Sequence, residues 1–469
     1  MQVKRIFPFL LLSALISINL VSNTGCANIV PPGGGPKDTI PPVLVGATPK
    51  DSALRVTSQK ITLYFDEFVE MKNANEKILI TPYPDQLPQF DSKLRTVTVR
   101  LKDSLLPNTT YTIDFGDAIA DLNEGNILKN FKYVFSTGSR IDNNTLSGKV
   151  ILAETGKADS TMFAVLYTKN EDSTVMKEKP KYVTRVDSKG NFRFSNLPEG
   201  TFYVFALLDS DGDKKYGLLS EAFAFYDQPV VVSANTQPVA LYAYVAEKAK
   251  RREPAATPPK GSAGKLYFNA SLENGHQNLL DSMRLTYIKP IRKIDPSKIK
   301  LLEDTTNTVK EVTITNDSVR NKLVVFTQWK AGASYKLVLP PGYATDSSGN
   351  TSTVADTLRF STFEEKDYGS IRVRFAGLDL SRHPVLLVYR GEDLISAIPM
   401  KSNEWYQKLF LPGDYQLRIL FDANENGRWD AGSYFTKPRK QPELVQSIDK
   451  PISIKSNWDN EFKIDFKPE

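Results

Sequence analysis

Two short acidic stretches carry the clearest chemistry in this sequence. Asp209, Asp211 and Asp213 stand at alternate positions. Asp422, Asn424 and Asn426 repeat that spacing, with Gly427 and Asp430 following. Oxygen ligands at positions one, three and five of a curled loop converge on one point, as in a loop that gathers the roughly six to eight oxygens calcium takes. Calcium is therefore the candidate ion for both stretches. Neither completes the EF-hand pattern. Position twelve is Ser220 or Ser433 where a bidentate Glu is expected, and Lys214 stands where the first loop calls for Gly. Glu221 or a distant carbonyl is the available substitute. An ion-free reading competes: acidic β-turns whose Asp side chains accept backbone N–H groups. In that reading Tyr216 and Trp429, at matching positions past the leading Asp, pin the loops to a sandwich.

Other catalytic constellations are poorly served. Asp66 and Glu67 put two carboxylates side by side, but neighbours on a strand point to opposite faces. They cannot alone form the facing pair that glycoside hydrolysis needs. The chain has 2 histidines: His276 in a polar turn and His383 before Pro384. With no G-x-S-x-G elbow and no thiol besides Cys26, a nucleophile relay has no parts. There is no phosphate-cradling Gly loop between a strand and a helix; Gly33–Gly35 lie in a Pro-rich stretch. Trp329, Trp405, Trp429 and Trp458 all fall in the second half. Each is either a core or loop-pinning residue or a flat surface for a sugar or a partner.

Cys26 has a different chemistry, set by what precedes it. Lys4 and Arg5 begin a leader, residues 6–21 are mostly apolar, and Ser22-Asn23-Thr24-Gly25 puts small residues before the cysteine. The apolar run is too short and too interrupted for a good spanning helix, so residues 1–25 read as a secretory signal peptide. A cysteine in this setting resembles a bacterial lipobox, although Asn23 stands where that motif usually carries Leu. The resemblance implies a diacylglyceryl thioether on Cys26 and a chain anchored to a membrane rather than spanning it. The expected location is the cell envelope, lipid-anchored to the outer membrane on its periplasmic or surface side.

Composition narrows the rest. The leader holds two cations and no acid, so removing it lowers the net charge from +6 to +4, near neutral for this length. No Lys/Arg-dense face stands out, and nucleic acid is not an expected partner. After acylation no thiol remains for disulfides, so each domain must stand on its own apolar core. Residues 26–42, half Pro and Gly after the cysteine, form a tether. Beyond it, short period-two runs such as ITLYF (61–65) and TVTVRL (96–101) alternate with Pro, Asn and Gly turns, the pattern of a β-sandwich. The chain predicts an all-β protein of tandem β-sandwich domains, with module A over 43–139, B over 145–245, a linker over 246–264, A′ over 265–363 and B′ over 369–467.

The primes mark an internal duplication. Tyr111 in LPNTTYTIDF has a counterpart in Tyr335 of KAGASYKLVL, ADLNEGN in TDSSGN, and Phe135-Ser136-Thr137 in Phe360-Ser361-Thr362. LPEGTFYVFALLDSDGDKKYG of B corresponds to LPGDYQLRILFDANENGRWDAG of B′. The start GCANIVPPGGGPKDTIPP, with ITLYFDEFVEM, LPNTTYTIDFGDAIADLNEGN and FSTG, resembles a family of bacterial lipoproteins bearing an SbsA-type Ig-like domain. B and B′, through G-N-F-x-F and L-P-x-G-x-Y, resemble transthyretin- or carboxypeptidase-regulatory-like sandwiches. FDANENGRWDAG with the later QPE matches the C-terminal end of the same lipoproteins. The resemblance implies a cell-envelope Ig-like protein and transfers no catalytic residue. The expectation is a non-enzymatic structural or adhesive module that recognises an envelope protein or glycan. The alternatives are a carbohydrate-binding accessory lipoprotein of a polysaccharide-uptake system and a carboxylate-based hydrolase.

Overall fold

The computed structural model describes residues 37–246, 264–317 and 321–466. The signal peptide, Cys26, most of the tether and nearly all of the linker lie outside the described residues. Among the described residues helix is confined to segments of three or four residues, and none is long and apolar enough to cross a membrane. Everything else is strand and turn, in tandem β-sandwiches.

The chain divides into two compact units, the first built mainly from residues up to 139. In it, alternation does what period two dictates: Ile61, Leu63 and Phe65 are buried while Lys60 and Tyr64 face out. Their strand Lys60–Phe65 lies in an antiparallel sheet between Leu44–Thr48 and Thr96–Arg100, with Gln89–Lys93 beyond. A second sheet centres on Thr110–Gly116, which supplies Ile113 and Phe115, and includes Phe131–Ser136, which supplies Tyr133 and Phe135. Phe131 joins the two layers, stacked on Phe115 and edge-on to Phe65.

The second unit holds everything from Arg140 onward, with two short upstream segments. It contains separate apolar cores for residues 146–243, 283–360 and 371–466. Module A′ repeats the topology of A. Strands Phe268–Ala270, Met283–Tyr287, Lys322–Phe326 and Thr313–Asp317 follow one another in the same order as the four-stranded sheet of A. Modules B and B′ also share a topology. In each, the first strand takes an antiparallel neighbour on one side and the last strand, in parallel, on the other: Asn144–Leu152 with Val239–Val245, and Gly369–Ala376 with Asp459–Asp465.

The Asp187-Ser188-Lys189-Gly190-Asn191 segment reads in the sequence as a hairpin turn. It is a turn, but the strands it joins are not partners. Tyr182–Arg185 pairs with Met162–Tyr167, whereas Asn191–Leu197 pairs with Asn144–Leu152, so the turn carries the chain between sheet ends.

Three turns share one chemistry. Asp121 accepts the N–H groups of Glu124, Gly125 and Asn126 at 2.6, 2.9 and 2.8 Å. Asp187 takes those of Lys189 and Asn191, and Asp346 those of Ser348 and Asn350. Burial raises each carboxyl pKa, but these donors, with the side-chain amides of Asn126, Asn191 and Asn350, outweigh it and hold all three below the usual range. A carboxyl depressed in the folded state adds stability that is present above its unfolded value of about 4 and is lost as pH falls through its folded value. Urea midpoints should therefore stay level from neutral pH to about 5 and then decline towards pH 2. Asp346→Asn should flatten the part of that decline reported by A′. Asp121→Ala, which removes the acceptor of three backbone N–H groups, should cost about 1.5–3 kcal/mol at pH 7.

Candidate functional site: the acidic loops and the docked modules

The two acidic loops leave equivalent strands, Gly200–Leu208 in B and Gly413–Phe421 in B′. Both curl through the left-handed region at their fourth and sixth residues. In the first these are Gly212 (φ +83°) and Lys214 (φ +60°), in the second Glu425 (φ +57°) and Gly427 (φ +74°). Each loop thus spends one glycine on one of two left-handed positions and leaves the other to a residue with a Cβ. The sixth N–H donates to the leading Asp in both: Lys214 to Asp209 at 2.8 Å and Gly427 to Asp422 at 2.6 Å.

A glutamate neither loop contains completes the geometry. Glu221 and Glu443 stand immediately before the next strand, Ala222–Phe225 or Leu444–Ser447, and fold back under their loops. Glu221 Oε1 accepts from the Ser210 N–H at 2.9 Å, and Glu443 Oε1 from the Ala423 N–H at 3.0 Å. Glu443 was not singled out by the sequence. The signal was its matching place before the strand, visible only once the strands are aligned.

Beyond this frame the loops differ. In the second, the side-chain amides of Asn424 and Asn426 both donate to Asp430 Oδ2. Glu443 Oε2 accepts the Asp430 N–H at 3.0 Å, and the Trp429 indole donates to the Glu443 carbonyl at 2.7 Å. Burial pushes the Glu443 carboxyl above its usual range, although the Asp430 and Ala423 amides favour its charged form. In the first loop, Asp209, Asp211 and Asp213 offer oxygens that all lie within 4.8 Å of one another. The Lys214 ammonium pairs with Asp209 Oδ2 and sits 4.5 Å from the centre of the Phe163 ring. Glu221 Oε2 is buried and has no hydrogen-bond partner.

Both loops border an interface between B and B′. The chain following the second loop presents Tyr434, 3% exposed, whose ring packs edge-on against Phe205, Phe223 and Phe225 of B at 5.6, 5.4 and 5.2 Å. Tyr216, from the first loop, stacks on Phe223 at 4.2 Å and lies parallel to Phe435 at 6.1 Å. Arg439 covers Tyr434 and pairs with Asp172 of B, holding that carboxyl below its ordinary range, and Gln441 donates to the Phe225 carbonyl.

A second contact joins the same modules through main chain. In B, strand Ala222–Phe225 pairs with Val239–Val245 and closes one side of the sandwich. In B′ the equivalent Leu444–Ser447 does not pair with Asp459–Asp465. Part of that open edge is taken by B itself: the Ala153 carbonyl accepts the Val445 N–H at 2.8 Å, and Gly156 lies against Val445 and Ser447. The remainder is a cleft of about 580 Å³ lined in part by Ile448, Ile452, Phe462 and Ile464.

Trp405 is in the core of B′ and Trp329 in that of A′, so neither offers a face to a sugar. Trp429 is half-buried, while Trp458 is 63% exposed with the Lys455 ammonium over its ring. Asp66 accepts the Val43 N–H at 2.8 Å. Burial, then the charges of Asp121, Asp66, Asp38 and Glu124, raise the Glu67 carboxyl. Asp121 accepts three N–H groups of its own turn, so both Asp121 and Asp66 are engaged with backbone. The His276 ring stacks on Phe363, and His383 Nδ1 lies 3.4 Å from Glu425.

Residues 38–137 match the bacterial Ig-like domain family. No curated protein sequence matches the chain. Among solved structures it aligns with the S-layer protein rSbsC at 14% identity, covering 89% of this chain and 41% of that one, with a TM-score of 0.16. BcpA, the major pilin subunit of Bacillus cereus, aligns at 10% identity over 69% of this chain and 99% of that one, TM-score 0.17. The BSP domain of a biofilm associated protein aligns at 10% identity over 92% and 100%, TM-score 0.16. The chain spans about two-fifths of the S-layer chain. Scores this low give no single neighbour any weight.

Proposed function

We propose that this chain is a non-enzymatic structural or adhesive module of the bacterial cell envelope, held to the outer membrane by an acylated Cys26. Its first module is a bacterial Ig-like domain, and B and B′ are read as transthyretin-like sandwiches. The observation that carries the proposal is the docking of B on B′. Two modules far apart in sequence share a buried aromatic cluster and a main-chain hydrogen bond. Such an arrangement fixes the spacing and orientation of sandwich surfaces, which is what a scaffold or an adhesive stalk requires. The partner is an envelope protein or a glycan. For a glycan, Trp458 is the exposed tryptophan able to stack on a sugar ring.

Cys26→Ser tests the anchor. Wild-type protein is expected in the membrane pellet of fractionated cells, with a mass increment for the lipid on its first mature residue. The variant is expected in the soluble envelope fraction at similar abundance. Wild-type protein found in the soluble envelope fraction would remove the anchor, and a leader retained in the cytosol would remove the envelope reading.

A further inference from the structure

We propose that this chain binds a second copy of itself head to tail, laying its edge strand Asp393–Pro399 into the open edge of the next copy's B′. This goes beyond the anchored module described above and depends neither on the lipid nor on an envelope partner.

The receiving edge is defined by comparison with B. There the two sheets of the sandwich are joined where Ala222 pairs with Val245 and Phe223 with Tyr244. The equivalent strands of B′, Leu444–Ser447 and Asp459–Asp465, do not pair, and the cleft of about 580 Å³ lies between them. Among the described strands, Asp459–Asp465 pairs only with Gly369–Ala376 and Leu444–Ser447 only with Gly413–Phe421, so each has one side outside any ladder. Ile448, Ile452, Phe462 and Ile464 give the cleft apolar walls. This edge already takes main chain from outside B′. Ala153 of B accepts the Val445 N–H, and Gly156 of B forms part of the cleft wall. The cleft therefore continues the B–B′ interface past the point that B reaches. An extended segment suits such a place, since its main chain extends the ladder while alternate side chains meet the walls.

B′ carries a segment of that kind at the opposite end of the same sheet. Asp393–Pro399 is the end strand of the sheet whose other end is Leu444–Ser447, and it pairs only with Pro384–Arg390 among the described strands. It exposes Leu394 and Ile395, at 50% and 48%, and no other described strand exposes two large apolar side chains. An apolar edge strand is an association site unless charge, proline or a cover blunts it. Here the charge and the proline stand only at its ends, Asp393 and Pro399. The strand has 7 residues, the same as Asp459–Asp465.

Strand and cleft are different surfaces on opposite edges of one module, so the contact is heterologous. A copy that gives its strand keeps its own cleft open for another, and assembly continues instead of closing at two.

The test uses the full chain with Cys26→Ser, in which no lipid drives association. Sedimentation velocity should show species that grow past the dimer as concentration rises. Ile395→Lys, at an exposed position, should weaken association at least tenfold without moving the melting temperature. Ile464→Lys, which puts a charge in the cleft wall, should weaken it similarly. Asp449→Trp, at an exposed place on the cleft rim, is the milder block should that charge unfold B′. Mixed in equal amounts, the strand variant and a cleft variant should give a dimer and nothing larger, because one keeps the cleft and the other the strand. A parent chain that stays monomeric would overturn the proposal. So would assembly indifferent to Ile395→Lys or to both cleft variants. A parent that stops at a dimer would do the same, since it would mean that two edge strands pair with each other.

Discussion

Replacing Gly156 by alanine should separate B from B′ at their main-chain contact. Gly156 sits at φ +67°, and a Cβ there would lie 2.5 Å from the Val445 carbonyl oxygen and 2.8 Å from the Ser447 nitrogen. Both are backbone atoms, so no rotamer change relieves the overlap. Overpacking of this kind costs about 1–3 kcal/mol, and an L-residue in the left-handed region costs about 1–2 kcal/mol more. The turn must pull away from Leu444–Ser447, and the bond from the Val445 N–H to Ala153 goes with it. Native-state hydrogen exchange gives the local readout. The Val445 amide should lose protection by orders of magnitude, while amides in the centre of strand Met162–Tyr167 keep theirs. Unchanged protection at Val445 would show that B does not close this edge in solution.

Tyr434→Ala should be the most damaging single change at the aromatic contact. Truncating a buried large aromatic costs about 3–5 kcal/mol, and this ring touches three phenylalanines of the other module. Tyr434→Phe keeps the ring and loses only the hydroxyl that accepts from Arg439 at 3.2 Å, so it should cost no more than about 1.5 kcal/mol. Urea unfolding of the full chain measures both. A double-mutant cycle of Tyr434→Ala with Phe225→Leu assigns the loss to the interface. A coupling of about 1 kcal/mol or more is expected for rings in contact, and additivity within a few tenths of a kcal/mol would mean they do not touch.

The fold class was legible because period-two burial and turn chemistry are local properties. Ile61, Leu63 and Phe65 announce a strand with one buried face whatever packs on it. The Gly-Asn turns at Asp187 and Asp346 are readable from the need for a left-handed glycine beside an acceptor carboxylate. The repeated topology of A′ was harder, because its opening strands keep the alternation but not the residues of A.

The acidic loops were legible as loops, whereas the glutamates folded beneath them were harder to see. Spacing gave the three aspartates, but the direction of Glu221 depends on a fold-back that spacing does not encode. The docking of B on B′ was the least visible feature. Tyr434, Phe435 and Arg439 stand in a segment rich in Lys, Pro and Gly that reads as exposed loop. The phenylalanines they cover sit in Ala222–Phe225, whose four residues are all buried. A strand buried on both faces announces that something covers its second face, not what does.

The docking also changes how the polypeptide transmits force. Module A′ lies in sequence between two bodies that hold each other directly, so a pull along the chain splits into two parallel paths. One runs through A′; the other crosses the B–B′ junction. The junction has to shear before A′ bears the full tension, and the rate of that rupture, not the equilibrium stability of A′, sets how long A′ is shielded from a sustained pull.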